Sequence, residues 1–237
     1  MVVAVKGDAM ELNKEQIAKL EEIYKKTETF FNQIKDSLGR GFDYRGFKIL
    51  NTKPAYMPPL FFIGYQPGGS AEHWKEECRT KSYKTWPRTN GYAQESWPLA
   101  AQVRWMFEMF PKKLEQSVGL NAIFIRAANA RCYRKSLDRN LRACIENFCL
   151  TRVGEIIEVI NPKRIVVFGF ETLSLFGSGE SYPPNGKGKI LTRTGEIANR
   201  KVIAMLHPTG AWRYISKLDQ DLIRDRVLAF VDLPHAA

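Results

Sequence analysis

Acid, sulfur and imidazole are all scarce in this chain. Its 237 residues hold 25 Asp and Glu against 36 Lys and Arg, with 4 Cys and 3 His. Cys78, Cys132, Cys144 and Cys149 form no C-x-x-C pair. That spacing indicates neither a zinc site nor a disulfide framework and reads as buried, inert thiols. No apolar run approaches the ~20 residues that cross a bilayer. The first residues, Met1 to Asp8, lack the apolar core and leading basic residues of a secretory signal. There is no internal repeat and no low-complexity linker. The expectation is a cytoplasmic or nuclear type of protein, with no membrane partner.

The shortage of acid also points to a partner. A formal net charge of +11 and a pI near 9.5 favour a polyanion such as nucleic acid or an acidic membrane surface, and equally fit a basic surface that engages nothing. With 44% hydrophobic residues the chain can bury a proper core, and its length fits one large domain with a small accessory element.

The most informative stretch is Leu60-Phe61-Phe62-Ile63-Gly64-Tyr65-Gln66-Pro67-Gly68-Gly69. An uncharged apolar run reads as a strand buried on both faces of a parallel sheet. It ends in residues that let the backbone turn tightly and approach a ligand. In open α/β sheets ligands bind at the carboxyl ends of strands. A second such strand, Val202 to Leu206, ends in His207-Pro208-Thr209-Gly210. Two more apolar runs lie between them, one within Val118–Arg126 and one at Arg164–Gly169.

Around these runs the helical signals are clear. Asn13-Lys14-Glu15-Gln16 reads as a capping box, followed by helical spacing from Ile17 to Leu38 and a stop at Gly39 and Gly41. This predicts an amino-terminal helical extension, residues 1–57, packed on a domain of residues 58–237. Residues 42–59 read as an irregular lead-in. Further helices are predicted after Ser96, from about Ser136 to Ile160 with a stop at Asn161-Pro162, from Glu171 to Phe176, and from Leu218 to Val231. Residues 177–201, with Pro183-Pro184, read as a loop with a hairpin near Thr194-Gly195-Glu196. Between Gly69 and Pro98 lies a long polar stretch of mixed rings and cations, among them His73, Trp74, Lys75, Arg79, Tyr83, Trp86, Arg88, Tyr92 and Trp97. Such mixing suits stacked bases and phosphates; it equally suits rings that cover a core beneath solvated charges. Strands alternating with helices predict a parallel sheet covered on both sides.

The pair Gly64-Tyr65-Gln66-Pro67-Gly68 and His207-Pro208-Thr209 resembles the two strand-end motifs of the uracil-DNA glycosylase superfamily. The run Asn121-Ala122-Ile123-Phe124-Ile125-Arg126-Ala127-Ala128-Asn129-Ala130-Arg131 is similar to a motif of its iron–sulfur branch, matching at Asn121, Arg126 and Arg131, and Arg213 echoes another. The resemblance covers roughly residues 58–232. It departs at Ile125, where that branch has a cysteine, so no cluster can be held. It departs again at Tyr65 and Gln66, where the family's water-activating Glu, Asp or Asn is missing.

What the resemblance implies is a three-layer α/β/α domain with a four-stranded parallel sheet in the order 2-1-3-4. It also implies hydrolysis of the glycosidic bond to uracil or another deaminated base in DNA, with the nucleotide flipped into a tight pocket. His207 would donate to the base oxygen on which negative charge develops, and Gln66 would orient water. Gly64, Tyr65, Pro67, Gly68 and Thr209 would line the pocket. Asn121, or Asn129 if Asn121 is only a turn residue before a strand Ala122–Arg126, would read the base edge. Arg126, Arg131 and Arg213 would meet phosphates, and Trp212 would fill the gap left by the flipped base. His73 is a candidate substitute base or a surface residue. No metal or other cofactor is implied, and the expected form is a monomer on single- or double-stranded DNA. Two other readings stand beside this one: a nucleic-acid-binding member with little or no hydrolysis, and an unrelated α/β small-molecule enzyme.

Overall fold

The computed structural model describes residues 8–39, 41–177, 180–181 and 188–232. Helix α1 (Lys14–Ile34) begins at the capping box: the Asn13 side chain accepts from the Gln16 N–H and the Gln16 side chain from the Asn13 N–H, both at 2.9 Å. After it come β1 (Phe61–Gly64), α2 (Ala71–Thr80), α3 (Gly91–Gln94), α4 (Pro98–Met106), α5 (Pro111–Glu115) and β2 (Val118–Asn121). The chain continues through α6 (Ala130–Ser136), α7 (Arg139–Ile160), β3 (Ile165–Phe168), α8 (Phe170–Ser174), β4 (Glu180–Ser181), β5 (Thr192–Ile197), β6 (Arg200–Met205) and α9 (Lys217–Asp232).

The fold is α/β, and its sheet corrects the expectation of four parallel strands. It is six-stranded and mixed, in the order β2-β1-β3-β6-β5-β4. Strands β2, β1, β3 and β6 run parallel, while β5 and β4 add on antiparallel. The extra pair comes from the stretch expected as a loop. Its hairpin turns at Ala198 and Asn199, with φ of +49° and +58°, rather than at 194–196. Both central residues at positive φ give the turn the twist that a two-residue hairpin needs. Pro183 and Pro184 lie outside the described residues.

Period-two alternation divides the sheet side chains between two cores. Phe61, Ile63, Leu120, Val167 and Val202 pack beneath α1 and α7, against Leu20, Phe31, Ile145 and Ile156. Phe62, Val166, Phe168, Ile203 and Met205 pack on the other side, against Val103, Leu114, Ile223 and Val227. Each such side chain removed from water contributes about 1.5–3 kcal/mol. The amino-terminal helix is therefore part of the main core, and Phe30 stacks on Phe148 of α7 at 3.9 Å.

The helix expected from about Ser136 to Ile160 is α7, which starts at Arg139 because Asp138 caps it by accepting from the Asn140 and Leu141 N–H groups. Two other expectations change. The lead-in runs antiparallel along the outer edge of β2, with bridges Leu50 to Leu120 and Phe47 to Ile125. Only Cys149 is buried; Cys78, Cys132 and Cys144 are exposed. Burial pushes the Cys149 thiol up to about 12. No helix among the described residues is long and apolar enough to cross a membrane.

Candidate functional site

Strand register brings the two motifs to one end of the sheet. Gly64 pairs with Asn121, Ile63 with Val167, and Phe168 with Met205, so the carboxyl ends of β2, β1, β3 and β6 finish in one row. His207 lies two residues beyond that row. Gly169, the residue after β3, lies within ordinary contact distance of His207 and adopts φ +93°, a backbone that glycine takes without strain.

Asn121 is the last residue of β2, not a turn before a strand over 122–126. Its carbonyl oxygen would lie 2.7 Å from any Cβ at position 64, so glycine is what lets the amide lie across β1. Asn121 is only 6% exposed, and its Nδ2 has no hydrogen-bond partner in the protein. Gln66, two residues past β1, donates from Nε2 to the Ala127 carbonyl at 3.3 Å, while its buried Oε1 finds no protein donor. Pro67 is buried and Gly68 exposed. Asn129 sits on the surface, where its side chain accepts from the Cys132 N–H at 2.9 Å and caps α6.

The state of His207 follows from its neighbours. Its Nδ1 accepts from the Thr209 backbone N–H at 3.4 Å, and the Thr209 hydroxyl lies 3.1 Å from the same nitrogen. That network places the ring proton on Nε2. Burial in an apolar surround pulls the imidazole pKa below its ordinary value, favouring the neutral form. His207 is thus a neutral Nε2–H donor.

Two of the residues expected to meet DNA do not face solvent. Arg126 is 2% exposed and binds Glu77 of α2 at 2.8 Å. It also packs on Gly69, whose φ of +135° only glycine adopts without strain. With Arg45, which donates to the Gly69 carbonyl at 3.0 Å, it holds the first-strand loop in place. Trp212 is 5% exposed, packed edge-on against Trp105 at 5.5 Å in the second core. The ring that projects from this loop is Tyr214, at 83% exposure, beside the exposed Arg213. Arg131 is also exposed, whereas Arg134 pairs with Glu171 and lies over the half-buried Tyr65 ring at 5.6 Å. A cleft of about 220 Å³ opens beside the loop, between Pro208, Thr209, Trp212 and Arg213 on one side and Pro98 and Gln102 on the other. A larger one, about 440 Å³, lies between α1 and α7 and contains none of these residues.

Arg45, Glu77 and Tyr214 were not singled out from sequence. Tyr214 carried a usable signal, lying in a loop between Gly210 and Ser216 with no apolar periodicity to bury it. His73 is exposed on α2. Among the described residues no group of three or more His, Cys, Asp or Glu side chains could hold a metal ion. No protein-family model matches this chain, and no curated protein matches it in sequence.

Proposed function

We propose that this protein is a DNA glycosylase of the uracil-DNA glycosylase type, releasing uracil or another deaminated base. The observation that carries the reading is that a neutral His207, just past β6, and the buried, unpartnered Asn121 Nδ2, at the end of β2, lie at the carboxyl ends of strands in one parallel array. A buried polar group without a partner is a cost that a bound base edge removes. An imidazole N–H in a dry site stabilises negative charge on a departing base without giving up its proton, an effect worth about 10²–10³ in rate. The Asn121 side chain reads the base, and Gly64 lets that amide lie close to β1. On this reading the fold is the superfamily's three-layer domain, whose four parallel strands are extended here by an antiparallel hairpin. Tyr214 takes the role expected of Trp212, entering the stack beside the flipped nucleotide. Arg131 and Arg213, with exposed lysines of residues 72–90, neutralise phosphates.

A second reading, a binding protein of the same type with little hydrolysis, is favoured by one observation. Neither Tyr65 nor Gln66 offers a carboxylate to take a proton from water. Single- and double-stranded oligonucleotides with one uracil, incubated with the protein and then treated with alkali, separate these readings. Strand cleavage supports the glycosylase. Binding without cleavage supports the second reading, and neither outcome returns the fold to an unrelated small-molecule enzyme.

A further inference from the structure

We infer that helix α2 is an autoinhibitory cover: its Glu77 carboxylate fills an anion site at Arg126, and a phosphate of a bound nucleic acid takes over that site as α2 lifts away. This rests on the polyanion partner common to both readings above, and not on base release. The pairing beneath α2 is incomplete. One nitrogen of Arg126, Nη2, holds both Glu77 oxygens at 2.8 Å, while Nε is buried and has no partner. A guanidinium binds a carboxylate or phosphate best through two nitrogens side by side, so half of this fork is idle. A buried donor without an acceptor is a cost that a better-placed anion removes.

The cover carries the charge of the ligand it stands in for. Glu77 is one of three acids in α2, with Glu72 and Glu76. Beneath it the chain gathers cations: Arg126, the half-buried Lys48, and Arg45, which lies within electrostatic reach of Glu72. Burial first, and then the neighbouring Arg126, pull the Lys48 ammonium below its ordinary value, despite the opposing pull of Glu77 and Glu95. Positive charge here is under-compensated by the protein's own acids.

Helix α2 is also lightly held. None of its ten residues is fully buried, and its apolar tie is Trp74, half-buried against Tyr44, Phe47 and Tyr83. Gly68 and Gly69 precede it, and it ends at Lys81 with a φ of +56°, so a hinge is available at either end. Trp74 and Glu77, three residues apart, share one face, and the pair at Glu77 is the charged half of the attachment. Once off the protein, a helix this short is marginal in water. Lifting therefore opens its backbone amides to solvent.

The test measures oligothymidylate binding at several salt concentrations for wild type, Glu77→Gln, Glu76→Gln and the double variant Glu77→Gln/Arg126→Gln. Hydrogen exchange of residues 71–80 is followed in wild type with and without the strand. Glu76→Gln is the control, since it removes the same formal charge from a pair with Arg79 that stands in solvent. Glu77→Gln should bind about fivefold or more tighter than wild type. Its slope of log affinity against log salt should steepen by about 0.7, because Arg126 then holds a counterion to release instead of Glu77. Glu76→Gln should change affinity far less, and adding Arg126→Gln should cancel the gain. In wild type the strand should speed exchange across 71–80, whereas a strand lying over an unmoved α2 would slow it. Wild-type binding with no gain in Glu77→Gln, an equal gain in Glu76→Gln, or exchange that is slowed or unchanged overturns the inference and leaves the nucleic-acid readings standing. The exchange measurement uses no variant, so it decides the matter even if Glu77→Gln fails to fold. Absence of binding in wild type and Glu77→Gln alike brings down the inference and those readings together.

Discussion

Two stretches of this chain mix aromatic rings with cations and place the rings differently. Residues 72–97 and residues 207–218 both interleave aromatic rings with cations. In the first, the rings turn inward: Trp74 packs against Tyr44, Phe47 and Tyr83, Trp86 against Tyr24, and Trp97 against Tyr92. Lys75, Lys81 and Arg88 stay in solvent. The ring of Trp74 lies so close to Gly46 that a Cβ there would meet it at 2.2 Å. In the second stretch Trp212 is buried while Tyr214 and Leu218 stand out at 83% and 77% exposure. A ring among cations is thus a ligand platform only where no apolar surface of the protein's own lies within reach.

That contrast can be broken at single residues. The largest effect is expected at Trp212. Trp212→Ala should lower stability by about 3–5 kcal/mol through the cavity it leaves, read as a fall in the urea midpoint. Tyr214→Ala should leave the midpoint unchanged and weaken binding to uracil-containing duplex. Equal stability losses at the two positions would show that Tyr214 is a packing residue. Arg126→Ala comes next, at roughly 2–4 kcal/mol. This lies below the cost of breaking a fully dry pair because the Glu77 side chain keeps 24% of its surface exposed. Arg131→Ala and Arg213→Ala should be neutral in stability. Each should reduce the slope of log affinity against log salt by about 1 from an expected −3 to −5.

His207→Ala should slow base release by about 10²–10³ with little change in DNA affinity; a loss under tenfold would move leaving-group stabilisation elsewhere. The smallest effect is in pH. Burial lowers the folded pKa of His207 below its unfolded value, near 6.5. The unfolded chain therefore takes up this proton first as pH falls. His207 accordingly contributes to stability fully above about 6.5, and that contribution is lost as pH drops toward the folded pKa. Denaturant titrations at pH 7.5 and pH 5.5 should show a larger drop for wild type than for His207→Asn.

Apolar runs made β1, β3 and β6 legible, and the capping box at Asn13 placed α1. The limit of β2 was not legible. Residues 122–127 are as apolar and as buried as β2 itself, but the edge segment 46–50 covers them, so an unbroken run hid the strand's end at Asn121. The same run carried a neglected sign for Arg126: a cation between Ala122–Ile125 and Ala127 is set in a dry surround and needs an acid partner, which the half-buried Glu77 supplies. The hairpin turn was missed because Ala198 gives no hint of a positive φ, although Asn199 does. At the candidate site, the placing of Gly64 and His207 at strand ends followed from the pattern alone. The orphaned amide atoms of Gln66 and Asn121 had no counterpart in the sequence, because a missing partner is a property of packing.

The row of strand ends also has a history in time. β1 is flanked by β2 and β3, and β3 meets β6 only through residues 202–205, which leave the ribosome after more than 200 others. Parallel pairing across such separations closes long loops before any contact rewards them and is slow to form. Gln66 and Asn121 can be brought together early in synthesis, but His207 joins them only once β6 has docked and α9 has covered it. A chain halted before residue 200 therefore carries Gln66 and Asn121 without His207, and it exposes the apolar flank of β3. Such a species is one for proteases and chaperones to clear rather than a weaker version of the finished protein.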